Sequence, residues 1–420
     1  MRVTRSASRA ASTTAQAAAP AAPAATPKPA KRKAAPRAAP SKKARTDDDD
    51  VLPPPPKPPV VRHITPVPAE GDAEPLVPAE LTFEFADAKQ HLVRADPRFA
   101  DVFDRLKCRP FEHLERVDPF RTLAHSILGQ QISWLAARSI THKFCRLFDP
   151  SLPEKPNDHH SNMSFFPTCH QVIQKDIPTL RTAGLSQRKA EYILDLAARF
   201  ADGRLSTEKL LEAEDEDLYE LLTAVRGIGR WTVDMFAIFS LRRPDILPVG
   251  DLGVQRGLLR WFLALHAPDY SLTISPKKLP RPDEDPAENS QRDAPDDVLP
   301  ALAETAASAA DASAAPPAPK GRKGKKAAKA ADADAGSALP TPFTPSIHKI
   351  LHAVPRDAAV APLPKGLTAA QLRTRLEKKT KIKGAFLTPQ EMEELTAPWR
   401  PYRSLGVYYM WALAEDPGAK

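Results

Sequence analysis

The chain has 420 residues, a formal net charge of +8, 46 prolines and three cysteines. Three scattered cysteines are too few for a disulfide framework, a four-cysteine zinc site or a four-cysteine iron–sulfur cluster, which favours a reduced, intracellular protein. The sequence holds no long apolar run, and its first 30 residues hold no continuous apolar stretch. We therefore expect no transmembrane helix, no secretory signal and no membrane partner.

Residues 1–82 are predicted to form a disordered, basic and proline-rich tail. The first 50 residues carry 11 Lys or Arg against four Asp, a net charge of +7, and they hold few large apolar groups that could offset the entropy of ordering. The basic clusters KRK (31–33) and KKAR (42–45) favour nuclear localisation or attraction to nucleic acid. The arginines among Ser and Ala at the start are also compatible with a mitochondrial presequence; of the two locations we expect the nucleus.

The segments that follow carry helical signals. Asp96-Pro97 and Asp118-Pro119 each have the pattern of a helix N-cap followed by proline at the first helical position. After the second pair, apolar residues recur on one helix face: Phe120, Leu123, Ala124, Ile127 and Leu128. Further along, TPQE (388–391) has the pattern of a capping box. Alternating strand-like runs are nearly absent, so the predicted fold class is all-α.

Possible metal ligands cluster in one polar stretch of the chain: His159, His160, Cys169 and His170. Their spacing matches no standard zinc pattern. We expect this stretch to be an exposed loop that binds no metal.

A Gly-x-Gly turn, Gly227-Ile228-Gly229, separates two helical patterns. The first pattern has one apolar face, formed by Leu218, Leu221, Leu222 and Val225, and the second begins near Arg230. The second helix begins with free backbone N–H groups and the positive end of its dipole, which together suit one phosphate. The glycines would let a DNA backbone approach closely, and Ile228 would anchor the turn in the core. The turn alone fits a plain helical hairpin equally well.

A second low-complexity segment, 273–366, is predicted to interrupt the folded core, which we expect to cover 83–272 and 367–416. The segment is dense in proline and holds a basic run at 320–329. Two interpretations stay open for it, a solvated linker or a nonspecific attraction for phosphate.

Residues 225–251, VRGIGRWTVDMFAIFSLRRPDILPVGD, resemble the helix-hairpin-helix and the following catalytic aspartate of the HhH-GPD DNA glycosylases. The resemblance is closest to the 3-methyladenine DNA glycosylase II branch, the bacterial AlkA and yeast Mag type. Three further segments agree in the same order: ILGQQIS (127–133), GLSQRKAEYI (184–193) and PWRPYRSLGVYYMWAL (398–413). The resemblance implies an all-α, two-lobed fold with a cleft between the lobes. The chain before about residue 118 then pairs with the C-terminal helices, and 119–250 forms the lobe with the hairpin.

The resemblance makes Asp251 the catalytic carboxylate. Breaking an N-glycosidic bond builds positive charge on the sugar, and a carboxylate can stabilise that charge and activate the attacking water. The alternative is that Asp251 only caps the helix that begins at Leu252. In glycosylase/lyase relatives the position of Trp231 supplies a Schiff-base lysine, so the tryptophan implies a monofunctional enzyme that uses water and leaves an abasic site.

The resemblance also implies a base pocket with Trp231 and Trp411 as aromatic walls. A cationic alkylated purine between indole faces would gain cation–π energy of ~1–2 kcal/mol when desolvated. Ordinary helical core packing is the alternative for both tryptophans. Met235 stands where the bacterial relative has a pocket tyrosine, which leaves the base preference open.

Residues of the expected DNA interface complete the site. A glycosylase flips its target nucleotide and fills the gap with a wedge residue. The resemblance places Gln131 at the wedge position beside Gln130, and the alternative is that both glutamines cap helix ends. The hairpin residues Gly227, Ile228, Gly229 and Arg230 would hold one phosphate. Arg403 and Ser404 would either position DNA phosphate or cap the last helix.

The function implied is hydrolytic excision of alkylated purines, chiefly 3-methyladenine and 7-methylguanine, in base-excision repair. We expect no cofactor, a monomer, double-stranded DNA with alkylated bases as substrate, and downstream abasic-site repair enzymes as partners. Two alternatives stay open: a related glycosylase for deaminated or oxidised bases, and a non-catalytic helix-hairpin-helix DNA-binding protein.

Overall fold

The computed structural model describes residues 62–112, 114–155, 165–279, 362–377, 381–382 and 384–415. Its α-helices, in chain order, are α1 (Phe85–Ala95), α2 (Arg98–Arg105), α3 (Pro119–Gly129), α4 (Trp134–Arg146), α5 (Cys169–Val172), α6 (Ile177–Thr182), α7 (Gln187–Ala201), α8 (Thr207–Glu212), α9 (Asp215–Thr223), α10 (Arg230–Phe239), α11 (Leu252–His266), α12 (Ala369–Glu377), α13 (Pro389–Thr396) and α14 (Arg403–Leu413). Within these ranges the β-structure consists of isolated bridges, so the predicted all-α class is confirmed. Among the same residues, no helix is long and apolar enough to cross a membrane.

Local sequence signals start several helices where they were predicted. The Asp118 carboxylate accepts a hydrogen bond from the backbone N–H of Arg121 at 3.0 Å, with Pro119 as the first residue of α3. The predicted capping box at Thr388 is present in both directions. Helix α2 begins at Arg98, one residue later than the Asp96-Pro97 pattern predicted. The backbone N–H of Arg98 donates to the Asp96 carboxylate at 3.1 Å. A short polar side chain before a helix therefore satisfies a backbone N–H that has no partner inside the helix.

The lobe that carries the hairpin is built around α3. The predicted apolar stripe of α3 is buried, and α3 packs against α4, α7 and α10. Helix α7 in turn contacts α5 and α6, and α9 contacts α10 across the Gly-x-Gly turn. Burial of one apolar face per helix is what fixes these neighbours.

The other lobe joins the first helices to the end of the chain, as the resemblance implies. The Phe99 ring of α2 lies between two tryptophans, with ring centroids 4.9 Å from Trp261 and 5.1 Å from Trp399. Phe103 makes an edge contact with Tyr409 of α14, with centroids 5.0 Å apart. Helix α11 packs against both α12 and α14. The hydrophobic core of this lobe is therefore formed by segments from both ends of the described chain.

A glycine sets the distance between α11 and α14. A Cβ atom on Gly257 would lie 2.1 Å from the backbone carbonyl oxygen of Met410. Because the obstacle is backbone, no rotamer change could relieve it, and only glycine lets the two helices approach this closely. Trp411, the residue after Met410, is thereby held against the N-terminal end of α11.

The folded part of the chain begins earlier than the predicted boundary at residue 82. Val77 is fully buried and pairs with Val117 in a β-bridge. The Arg242 guanidinium donates to the Pro78 carbonyl at 2.7 Å, and the Thr82 hydroxyl donates to the Arg242 carbonyl at 2.7 Å. Proline lacks an N–H but keeps its carbonyl, so a proline-rich segment can still accept hydrogen bonds from the core.

The boundary predicted at residue 273 also differs from the structure, because Ile274 is fully buried and the backbone N–H of Lys107 donates to the Lys278 carbonyl at 3.0 Å. Residues 1–61 and 280–361, which hold most of the two predicted low-complexity segments, lie outside the described residues.

Candidate active site

Asp251 lies at the N-terminal end of α11 and is only 1% exposed. Its Oδ1 accepts a hydrogen bond from the backbone N–H of Val254 at 2.8 Å, so it caps the helix as one sequence interpretation required. Its own N–H donates to the Pro248 carbonyl at 3.0 Å. The positive end of the α11 dipole favours a negative charge at this position.

Two tryptophans, 180 residues apart in the sequence, converge on the Asp251 carboxylate. Trp231 of α10 donates its Nε1–H to Oδ2 at 2.8 Å, and Trp411 of α14 donates its Nε1–H to Oδ1 at 2.9 Å. With the Val254 N–H, three donors from three helices hold one carboxylate. Hydrogen bonds to an ionised acceptor are shorter and stronger than neutral ones, so the arrangement fixes both the position and the orientation of the group.

The start of α14 is attached to the loop that leads into Asp251. The Ser404 hydroxyl donates to the Arg243 carbonyl at 2.6 Å and accepts from the Ile246 N–H at 2.9 Å. The Arg403 guanidinium pairs with Asp245, with Nε and Oδ1 2.6 Å apart. Both side chains are buried, and these bonds position Trp411 relative to Asp251. Because their polar groups are engaged inside the protein, we leave Arg403 and Ser404 out of the proposed DNA interface.

The structure brings Trp231 and Trp411 together at Asp251, and both are partly buried. The Phe239 ring is stacked on Trp411, with centroids 5.7 Å and planes 28° apart. At most one face of Trp411 is therefore open to a base. Met235, the third expected pocket residue, is 6% exposed and offers little surface to a ligand. The pocket roles of these three residues stay predictions.

The Gly-x-Gly turn joins α9 to α10 as the sequence indicates. Gly227 has a φ of +87°, and a Cβ there would lie 2.1 Å from the Tyr192 ring, so both conformation and space require glycine. Ile228 is buried, as an anchor of the turn in the core has to be. Gly229 and Arg230 are exposed, and the N-cap residue of α10, Gly229, has no side chain that could cap the helix. This terminus is the site where one phosphate was predicted to bind.

The two glutamines after α3 differ in their surroundings. The Gln130 side chain donates to the Gly227 carbonyl at 2.8 Å and so ties the α3–α4 loop to the hairpin turn. Gln131 is exposed and has a φ of +58°, a left-handed conformation that is uncommon for residues other than glycine. Leu135, in the first turn of α4, is 64% exposed. The α3–α4 loop and the first turn of α4 therefore present a polar and an apolar side chain to solvent.

Two polar residues near the site were missed in the sequence, Asp234 and Tyr219. Asp234 lies on α10 one turn after Trp231, is 1% exposed and accepts a hydrogen bond from the Tyr219 hydroxyl. Burial raises the pKa of Asp234 to about 7, and the negative charge of Asp251 acts in the same direction. The sequence signal was a lone acidic residue inside the otherwise uncharged run TVDMFAIF. Its partner could not be identified, because Tyr219 belongs to the preceding helix.

The predicted exposed loop with possible metal ligands differs from the structure at Cys169. Cys169 is the first residue of α5 and is buried, and this burial raises the pKa of its thiol to about 11. His170 is exposed, while His159 and His160 lie outside the described residues. In the part of the chain that the structure describes, no group of three or more His, Cys, Asp or Glu side chains could hold a metal ion.

Comparison with known proteins identifies the class that this fold and site define. Residues 124–275 match the family described as HhH-GPD superfamily base excision DNA repair protein. Over 180 residues the chain is 33% identical to DNA-3-methyladenine glycosylase 1 of Schizosaccharomyces pombe, covering 42% of this chain and 73% of that protein. The chain belongs to the HhH-GPD superfamily, which confirms the resemblance found in the sequence.

One further relative and one solved structure have the same kind of name. Over 195 residues the chain is 30% identical to DNA-3-methyladenine glycosylase of Saccharomyces cerevisiae, covering 42% of this chain and 60% of that protein. A solved structure of Schizosaccharomyces pombe 3-methyladenine DNA glycosylase (Mag1) in complex with abasic DNA aligns with a TM-score of 0.33 and 30% identity. That alignment covers 41% of this chain and 78% of the other.

Proposed function

We propose that this protein is a monofunctional DNA glycosylase that hydrolyses the N-glycosidic bond of alkylated purines, chiefly 3-methyladenine and 7-methylguanine, in base-excision repair. The observation that carries the proposal is the Asp251 carboxylate, buried at the end of α11 and bound by the indole N–H groups of Trp231 and Trp411. The names of the Schizosaccharomyces pombe and Saccharomyces cerevisiae relatives support the substrate class.

Asp251 acts on the sugar of the flipped nucleotide. As the bond to the base breaks, positive charge develops on the sugar, and a carboxylate fixed in advance stabilises it without reorganising. The same carboxylate orients the attacking water and accepts its proton. N3- and N7-methylated purines are cationic and leave readily, so the reaction needs no strong general acid.

Trp231 explains why water, and not the protein, attacks the sugar. An indole N–H has no nucleophilic lone pair, and in this structure it is engaged with the Asp251 carboxylate. A Schiff base with the sugar needs a lysine amine at such a position. The product is therefore an abasic site in an intact strand.

The DNA duplex is held by two neighbouring features of the hairpin lobe. The exposed turn of Gly227 and Gly229 brings a phosphate to the N-terminus of α10, with Arg230 beside it. Gln131 is exposed in the α3–α4 loop. Its side chain fills the space that the flipped nucleotide leaves, and its carboxamide hydrogen-bonds the orphaned base. The bond from Gln130 to the Gly227 carbonyl fixes the distance between these two contacts.

The biological setting follows from the product and from the tail. An abasic site must be processed by enzymes that cleave or rebuild the strand, so these are the expected downstream partners. The net charge of +7 on the first 50 residues favours nuclear import and strengthens DNA association at low salt. The enzyme acts as a monomer in the nucleus.

The proposal is tested by incubating the full chain with duplexes that carry 3-methyladenine, 7-methylguanine, hypoxanthine or 8-oxoguanine and measuring the free base released. We expect release of the two methylated purines, an abasic strand that only added alkali cleaves, and no covalent adduct after borohydride reduction. Preferred release of hypoxanthine or 8-oxoguanine would identify the related glycosylase instead. DNA binding without release of any base would identify a non-catalytic DNA-binding protein.

A further inference from the structure

Asp234 is a buried acidic residue that the proposed mechanism leaves without a role. Its neighbours on α10, Val233, Met235 and Phe236, are buried and apolar. Burying a carboxyl group costs free energy unless it gains partners, so an acid retained here needs a reason. The hydrogen bond from Tyr219, on the other helix of the hairpin, is its partner in the structure.

Asp234 belongs to a small polar and charged cluster on the two hairpin helices, α9 and α10. The Arg230 guanidinium lies 4.1 Å from the centroid of the Tyr219 ring. Burial and the negative charge of Asp251 both raise the pKa of Asp234, while the Tyr219 hydrogen bond and the Arg230 charge lower it. Asp215 faces the same cluster, since its negative charge raises the pKa of Tyr219.

The cluster is coupled to the active site in two ways. Trp231, one helical turn before Asp234, donates its indole N–H to Asp251, so α10 carries both residues on one rigid element. The negative charge of Asp251 acts on Asp234, and electrostatic interaction is mutual, so a charge on Asp234 acts on the site around Asp251.

We propose that Asp234 is a positioning residue for base excision. When it is ionised, it adds a second negative charge one helical turn after Trp231, and Tyr219 holds this ionised form. The inference rests on the proposed function. Two negative charges stabilise the developing cation of the sugar better than one, so ionisation of Asp234 speeds the bond-breaking step. A carboxyl group is protonated below its pKa and ionised above it. Because the pKa of Asp234 is about 7, the rate of base release rises as the pH increases through neutrality.

The test measures single-turnover release of 7-methylguanine from a duplex by the full chain between about pH 5.5 and pH 8.5, with the enzyme-free rate subtracted. We expect the wild-type rate constant to rise on the order of tenfold, the size of effect that one nearby unit charge can have at an effective dielectric constant of about 20. Asp234→Asn keeps an oxygen for the Tyr219 hydroxyl but has no charge. Its rate should stay near the low-pH wild-type value throughout.

Two further variants separate this role from a structural one. Tyr219→Phe removes the bond that favours the ionised form, so the rise should move to higher pH. Asp217→Asn, an exposed residue of the same helix α9, should leave the profile unchanged. A wild-type rate without a rise would overturn the inference, as would a rise that persists in Asp234→Asn or an unshifted rise in Tyr219→Phe. If the wild-type chain releases no base at any pH, the proposed function fails first.

Discussion

The hydrogen bonds around Asp251 predict an unequal dependence on the two tryptophans. Within the described residues, Oδ2 accepts from Trp231 Nε1 alone, whereas Oδ1 accepts from both Trp411 Nε1 and the Val254 N–H. Trp231→Phe therefore leaves a buried carboxylate oxygen with no donor, while Trp411→Phe leaves Oδ1 with one.

The size of the effect follows from the burial of the carboxylate. A hydrogen bond to a charged group contributes about 1.5–3 kcal/mol to stability, and the full amount is lost when a buried acceptor keeps no partner. We expect an interaction energy of about 1.5–3 kcal/mol between Trp231 and Asp251, and about half as much between Trp411 and Asp251.

Double-mutant cycles measure these energies. Each cycle compares the wild type, the Trp→Phe variant, Asp251→Ala and the double variant by urea unfolding, so that packing lost with the indole ring cancels. Equal interaction energies for the two tryptophans, or the larger value for Trp411, would refute the assignment of donors to the two oxygens.

The remaining predictions concern the hairpin, the α14 attachment and the tail. Gly227→Ala should lower the free energy of unfolding, measured with urea, by more than about 1 kcal/mol, because the new Cβ would meet the Tyr192 ring at a backbone φ of +87°. A Cβ on Gly229 would meet nothing within 4 Å, so Gly229→Ala should keep the wild-type stability. Equal stability of the two variants would contradict the turn geometry. Arg403→Met should lower the free energy of unfolding by about 2–3 kcal/mol in a urea titration. This is less than the loss of a fully buried ion pair costs, because Asp245 is partly exposed. A change in the salt dependence of DNA binding would show that Arg403 contacts phosphate. Removing residues 1–61 should weaken DNA binding near 0.15 M salt and reduce its salt dependence, because the basic side chains that neutralise phosphates are lost. Base release at low salt should be kept, and its loss there would place part of the chemistry in the tail.

Local signals in the sequence were sufficient for much of the fold. Asp118 and Thr388 start their helices as predicted, because capping depends on residues three positions apart. The buried stripe of α3 follows from helical periodicity alone. The packed segment before residue 82 was missed, because its order depends on hydrogen bonds to distant residues such as Arg242, and composition contains no information about them.

The site was predictable in its residues more than in its geometry. The motif indicated Asp251, Trp231 and Trp411, but the approach of the Trp411 indole N–H to Asp251 depends on the close packing of α14 on α11 at Gly257. The same limit applies to Arg403, whose exposed phosphate-binding role was a natural expectation for an arginine in that motif. Its burial against Asp245 is a tertiary contact across 158 residues.

The most direct test of the central role of Asp251 is single-turnover release of 7-methylguanine by Asp251→Asn beside the wild type, at enzyme concentrations that saturate the DNA. The variant keeps an oxygen for Val254 and Trp411 but has no charge, so DNA affinity should stay within about threefold while release slows by about 10²–10³-fold, the effect of losing one preorganised electrostatic group. Asp217→Asn, exposed on α9, should release base at the wild-type rate. Release by Asp251→Asn at a rate close to that of the wild type would contradict the account.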